Sequence, residues 1–179
     1  MNINFEDISY LQHGTIRQQQ AFRVLTAHQI IQKLDKFQPI LAGTIPLNID
    51  IPESDLDIIC CWKNEEDFIS ALVEYFGKAD HFEWHKTTIR NELSIICSFI
   101  LEDFPVEIFG QTIESTKQMA YRHMLIEYQL LEEKGEHFRK EIIRLKEAGF
   151  KTEPAFATLL NLEGDPYTQL LQFEKQIPL

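Results

Sequence analysis

The sequence predicts an α/β (α+β) protein built on a small mixed sheet, with a helix before the sheet and a helical extension after it. Three observations carry this. Apolar runs of strand length recur at 39–42, 55–62, 80–89, 92–101 and 104–109. The run at 55–62 leads directly into a well-signalled helix, which makes a βα unit. Beyond about residue 115 the strand-like runs stop and helical spacing takes over. With 179 residues, 44% of them hydrophobic, the chain has ample material for a packed core. The change of character divides it into a core, 1–114, and an extension, 115–179, packed on it as one unit.

Residues 9–14 read as a leading loop and 15–34 as a helix, with Phe22, Leu25, Ile31 and Leu34 at apolar positions. A strand follows at 39–42 and ends at the turn-forming pair Gly43-Thr44. From 45 to 51, Ile45, Leu47, Ile49 and Ile51 alternate with Pro46, Asn48 and Asp50, a period of two that predicts an extended arm. Pro46 and Pro52 keep that arm out of a sheet centre. After the strand at 55–62, Asn64 is placed to cap a helix whose first turn carries Glu65, Glu66 and Asp67. Phe68, Leu72, Tyr75 and Phe76 share its apolar face, and Gly77 stops it. The runs 92–101 and 104–109, joined at Glu102-Asp103, predict a hairpin. Four helices complete the chain: 115–134 ending at Gly135, 136–148 ending at Gly149, 153–162 opened by Thr152 and Pro154, and 166–175 opened by Asp165-Pro166. Trp62, Phe109 and Phe138 read as core.

The first seven residues are polar and acidic rather than signal-like, and no apolar stretch reaches the ~18 residues of a membrane span. Cys60, Cys61 and Cys97 lie within apolar runs without metal-ligand spacing, so they read as reduced core thiols of a cytoplasmic protein. A net charge of −11 argues against general nucleic-acid binding, which depends on Lys and Arg releasing counterions from phosphates. The charge is uneven. Residues 117–151 hold eight Lys or Arg against six Asp or Glu, a balance of +2 that leaves −13 elsewhere, so a small phosphorylated ligand remains compatible with the chain.

The chemistry concentrates in Asp55-Leu56-Asp57. In a strand, side chains two apart share a face, so both carboxylates project together from Cα atoms about 6 to 7 Å apart, hard oxygen donors suited to Mg²⁺. Glu107, between Val106 and Ile108, points to the face opposite its apolar neighbours, and an adjacent strand lies about 4.8 Å away, so it can stand beside the Asp pair. Taken alone, Asp-x-Asp is a weak motif, and Glu107 on an edge strand would simply face water.

Together, Gly43-Thr44 closing one strand, Asp55-x-Asp57 opening the next and Glu107 in a later one resemble the signature of the DNA polymerase β-like nucleotidyltransferase superfamily. The superfamily pattern covers residues 39–109. Within that superfamily, Gly-Thr-Ile-Pro-Leu, Ser-Asp-Leu-Asp-Ile-Ile-Cys, Glu-Ile-Phe-Gly-Gln, Tyr-Arg-His-Met and Lys-Thr-Glu-Pro-Ala-Phe are similar to a small bacterial family described as a domain of unknown function, number 4269. That similarity runs over nearly the whole chain. The resemblance implies a metal-dependent transfer of a nucleoside monophosphate from a nucleoside triphosphate to a hydroxyl of a small molecule or protein. It implies that Asp55, Asp57 and Glu107 hold Mg²⁺ or Mn²⁺, and that Gly43 and Thr44, with Ser54, Lys117 and Arg122, bind the nucleotide. This sequence departs from the usual pattern at two points. Thr44 stands where Ser is commoner, and the prolines after it disfavour the usual short helix.

Other readings stay beside this one. A same-fold protein that binds nucleotide or metal without turnover, or regulates a protein partner as an antitoxin does, fits the Pro-bearing arm as an interaction surface. A phosphatase with an Asp nucleophile needs that Asp at the C-terminal tip of a strand, whereas here the apolar run follows Asp57. Arg17, Lys117 and Arg122 are either phosphate contacts or ordinary surface cations. His81 and His85 have the spacing of two helical ligands, but their aromatic neighbours place them in a strand or loop.

Overall fold

The strand-length runs become five strands, β1 Ile40–Ala42, β2 Leu56–Cys61, β3 Asp80–Ile89, β4 Glu92–Leu101 and β5 Phe104–Gln111, in a computed structural model of the protein that describes residues 3–176. Residues 1 and 2, the start of the acidic N-terminal stretch, and 177–179 lie outside the described residues. The helices are α1 Ile16–Ala27, α2 Ile30–Lys33, α3 Glu65–Phe76, α4 Met119–Glu147, α5 Thr152–Leu159 and α6 Pro166–Leu170. The strands form one sheet in the order β1-β2-β5-β4-β3. β2 and β5 are parallel, and the other three pairings are antiparallel. The mixed α/β class and the 92–109 hairpin follow the sequence expectation.

Each face of the sheet has its own core. Leu56, Ile58 and Cys60 of β2, with Val106 and Ile108 of β5, pack against Val24 and Leu25 of α1 and Phe68, Leu72 and Phe76 of α3. Residues of the opposite parity do otherwise. Ile59 joins Ile40 and Ala42 of β1 under Met124, Leu130, Ile142 and Phe156 of the C-terminal helices, with half-buried Phe109 packed against them. Full burial of each such side chain contributes about 1.5–3 kcal/mol, so both layers contribute strongly to the fold. The parity rule also decides the site: Asp57 lies on the Ile59 face, below the C-terminal helices. Cys60, Cys61 and Cys97 are free, buried thiols, and burial pushes Cys97 up to about 12.

Several elements differ from the sequence reading. The expected helix 15–34 starts with a capping box between Thr15 and Gln18, but breaks after Ala27, where Gln29 adopts a left-handed φ of 55° and α2 restarts the chain at Ile30. The arm is not extended. Leu47 N and Asn48 N donate to Thr44 O and Ile45 O, both at 3.2 Å, and Asn48 takes φ 55°, so 45–48 is a turn that Pro46 tolerates because its missing N–H is not needed. The alternation was misleading because Ile45 enters one core while Leu47 and Ile49 enter the other. Tyr75 is 38% exposed, outside the buried stripe of Phe68, Leu72 and Phe76. Gly77 ends α3 in an ordinary right-handed conformation. Helices 115–134 and 136–148 form α4 with a break at Gly135 (φ 74°, ψ −169°), preceded by a 3-10 turn at Ser115–Lys117. The last two helices are shorter than expected, α6 continuing as a 3-10 helix over Leu171–Gln176. Trp62 is buried as core, while Phe109 and Phe138 are only half-buried. Among the described residues no helix is long and apolar enough to cross a membrane.

Candidate functional site

Parallel pairing sets β2 against β5 so that Asp57 and Glu107 are direct Cα partners, with Ala42 of β1 opposite Asp57 on its other side. Asp55 stands immediately before β2 and shares the face of Asp57. The three sequence-predicted carboxylates therefore meet. Gly43 closes the group: it has φ 78°, and a Cβ built on it would lie 2.1 Å from Asp57 Oδ2. Only glycine combines that backbone conformation with so close an approach to the carboxylate.

Burial first, then the charges of Asp55 and Glu107, hold Asp57 well above the ordinary carboxylate range; a hydrogen bond to Asp55 raises it further and Lys146 opposes. Glu107 is raised by burial and then by Asp55, with His85 lowering it. Raised carboxylates are the response of buried acids placed together when the nearby positive charge is too little to offset them. A hard divalent cation relieves that repulsion, and an all-oxygen donor set suits Mg²⁺ or Mn²⁺. Among the described residues, no three His, Cys, Asp or Glu side chains are already arranged as a metal cage. The donor chemistry of Asp55, Asp57 and Glu107 nonetheless fits a divalent ion that draws them together.

A cavity of about 660 Å³ opens from this face of the sheet. Its floor includes Gly43, Thr44, Asp57 and Glu107, and Met119, His123 and Glu127 of α4 face it. Thr44 Oγ1 donates to Ser54 Oγ at 3.1 Å, and Ser54 Oγ also accepts from Ile51 N at 3.0 Å. Ser54 thus fixes the Thr44 hydroxyl and is not itself among the lining residues. Lys117 and Arg122 do line the cavity, but both are engaged: Lys117 Nζ is 2.6 Å from Glu114, and Arg122 makes two bonds of 2.6 Å to Glu174. Arg17 lies 3.9 Å over the Phe104 ring and donates to Ser54 O, a packing role. His81 and His85 lie on edge strand β3 and not on a helix.

Three residues escaped the sequence reading. Arg90, at the tip of the β3-β4 hairpin, lines the cavity, and no ion pair is seen for it among the described residues. Arg90 and Asn91 have φ 54° and 68°, as a two-residue hairpin turn requires. Lys146, from the far half of α4, is buried among acids; burial lowers it, while Glu127, Asp50, Asp57 and Asp55 raise it. Glu127 is 4% exposed, and among the described residues its Oε1 has no hydrogen-bond partner. The only sequence signal was the i, i+4 spacing of His123 and Glu127 on a helix; nothing local announces Lys146, which arrives through the fold-back at Gly135.

Residues 23–173 match the family described as a domain of unknown function, DUF4269. The chain belongs to the DUF4269 family. No curated protein matches this DUF4269 chain in sequence. Its fold is similar to that of several solved structures. The GLD-2/RNP-8 complex is 12% identical at a TM-score of 0.52, covering 88% of this chain and 63% of that one. A mutant Cid1 poly(U) polymerase bound to MgATP is 11% identical at 0.52, covering 86% and 47%. Cid1 with the UTP analogue UMPNPP is 12% identical at 0.51, covering 80% and 44%. The DUF4269 chain thus spans less than two thirds of each of these chains. The likeness shows a shared fold, a mixed five-stranded sheet with helices on both faces.

Proposed function

We propose that the protein is a metal-dependent nucleotidyltransferase that moves a nucleoside monophosphate from a nucleoside triphosphate to a hydroxyl of a small-molecule or protein acceptor. The observation that carries this is the register of Asp57 with Glu107 beside Asp55, under a cavity of about 660 Å³ large enough for a nucleotide. Asp55, Asp57 and Glu107 would hold the divalent ions. When bound, Mg²⁺ or Mn²⁺ supplies charge neutralisation for the triphosphate and acidifies the attacking hydroxyl. The Gly43 turn and the Thr44 hydroxyl, fixed by Ser54, bind the β and γ phosphates, and Arg90, which lines the cavity without an ion pair among the described residues, meets the remaining charge. Glu107, raised by burial and then by the charge of Asp55, accepts the acceptor's hydroxyl proton. The oxygen bonds to the α-phosphorus, the bond to the bridging oxygen breaks, and pyrophosphate leaves. Asp57→Asn and Glu107→Gln are expected to abolish label transfer from α-³²P nucleoside triphosphates and pyrophosphate release while the fold persists; turnover retained in either variant refutes the reading.

One observation favours a second reading, a same-fold protein that binds nucleotide or metal, or regulates a partner, without turnover: Lys117 and Arg122 are already committed to Glu114 and Glu174. The GLD-2 structure is a complex with a protein partner, RNP-8, which makes a partner for this chain a reasonable object of search. Nucleotide binding without pyrophosphate formation across an acceptor screen is the result this reading expects.

A further inference from the structure

The wall of the cavity opposite the carboxylate group carries a second polar feature. Helix α4 presents Ala120, His123 and Glu127 at successive turns of one face, and all three line the cavity. Glu127 is 4% exposed and its Oε1 lacks any hydrogen-bond partner among the described residues, one of the costliest states a side chain can occupy. Its surroundings do not resolve it. Glu153 of α5, which also lines the cavity, adds like charge, and Lys146, among the described residues the one cation acting on Glu127, shares its charge with Asp50, Asp55 and Asp57. His123 is committed elsewhere, its Nε2 2.8 Å from Tyr167 O and its Nδ1 3.3 Å from Glu153 Oε1. Around these groups the lining is apolar, with Ile59, Phe109, Ile113 and Met124. Among the described residues two lining side chains, Glu127 and Gln118, each hold a buried oxygen without a partner, and of these only Glu127 carries a carboxylate; an apolar recess with such an acceptor selects ligands by the donor they bring.

We propose that Glu127, seated beside Glu153, is a specificity-determining group that binds an N–H-bearing group of the ligand. Two sources offer that chemistry. A guanine base presents a ring N–H and an amino group side by side, matching the two oxygens of one carboxylate. An acceptor molecule with an amino substituent presents an ammonium. The assignment rests on the nucleotidyltransferase reading only for which ligand enters.

The test is calorimetric titration with Mg²⁺ of GTP, ITP, ATP, CTP and UTP, and of glucosamine against glucose, into the intact protein and its Glu127→Gln and Glu153→Gln variants. ITP lacks the guanine amino group and glucose lacks the amine, so each pair isolates one donor. A preference for the amino-bearing partner of about tenfold or more in one pair, collapsing in Glu127→Gln but not merely following a drop in Tm, is the expected result. Preference in the GTP pair identifies a base recess, and preference in the glucosamine pair an acceptor recess. If nucleotides bind with no preference in either pair, or a preference survives in Glu127→Gln, the recess assignment is wrong while the nucleotidyltransferase reading stands. If no nucleotide binds but glucosamine binds through Glu127, the reverse holds.

Discussion

Replacing Gly43 by Ala is the sharpest perturbation of the carboxylate group, because two separate costs can be read from the geometry. The first is backbone: at φ 78° a residue with a Cβ sits in the left-handed region at about 1–2 kcal/mol. The second is overlap. The new Cβ would stand 2.1 Å from Asp57 Oδ2 and 3.0 Å from its Cγ, so the Asp57 side chain must leave its rotamer, about 0.5–1.5 kcal/mol more. The sum, about 1.5–3.5 kcal/mol, corresponds to a Tm lower by roughly 3–14 °C for a chain of this length. Gly135→Ala is the control. Gly135 has φ 74° with nothing within 4 Å of its added Cβ, so it carries backbone strain alone. Differential scanning fluorimetry with a Mn²⁺ titration separates the two costs. Gly43→Ala is expected to lose both Tm and at least about tenfold in divalent-ion affinity, since one ligand is displaced, while Gly135→Ala loses Tm only. Wild-type ion affinity in Gly43→Ala would refute the placement of Gly43 against a working Asp57 carboxylate.

Other consequences follow from the same geometry. Asp57, Glu107 and Glu127 are all raised in the folded protein, so the folded state binds more protons than the unfolded one; their contribution is full below ordinary carboxylate values and is lost as pH rises through the raised ones, by up to about 1.4 kcal/mol per pH unit per proton. Without divalent ions, Tm is expected to fall between pH 5 and pH 8, and added Mg²⁺ to restore it more at pH 8 than at pH 5; a Tm that climbs across that range contradicts the assignment. Lys146→Met removes the cation shared by Asp50, Asp55, Asp57 and Glu127 and is expected to destabilise by about 3–5 kcal/mol at pH 8 and by less at pH 5, because Asp57 and Glu127 are held well above the ordinary carboxylate range; equal losses at both, in paired melts, would mean that packing alone is affected. Arg139 donates to the carbonyls of Leu47 and Asn48, so Arg139→Ala is expected to cost about 1.5–3 kcal/mol and to make the 45–51 segment sensitive to limited proteolysis; an unchanged cleavage pattern would show that the turn holds without it.

What could be read in the sequence was local or carried by strand parity. Asp55 and Asp57 two apart, and Glu107 between Val106 and Ile108, fix which face each carboxylate takes once both segments are strands, and the parallel register then places them together. Asn64, Thr15 and Asp165 announce helix starts because each side chain can satisfy a backbone N–H of the first turn, and each does so here. The 45–51 segment was illegible for the opposite reason. Its alternation reflects two cores reached from one turn, information held by the chain on either side of it. Lys146 and Glu127 are brought to the acids by the break at Gly135 and the docking of α4 on the sheet, and no window of sequence contains both partners of such a contact. Lys117 and Arg122 show the limit of charge counting. The sequence supplies the cations, but Glu114 and Glu174, which occupy them, are visible only in the fold.

The most direct test of the central claim is calorimetric titration of nucleoside triphosphates with Mg²⁺ or Mn²⁺ into the intact protein and into the Asp55→Asn, Asp57→Asn double variant. Metal-dependent binding of at least one nucleotide, lost in a double variant that still melts cooperatively, is the predicted result. Nucleotide binding that needs no metal, or that persists undiminished without the two carboxylates, would contradict it.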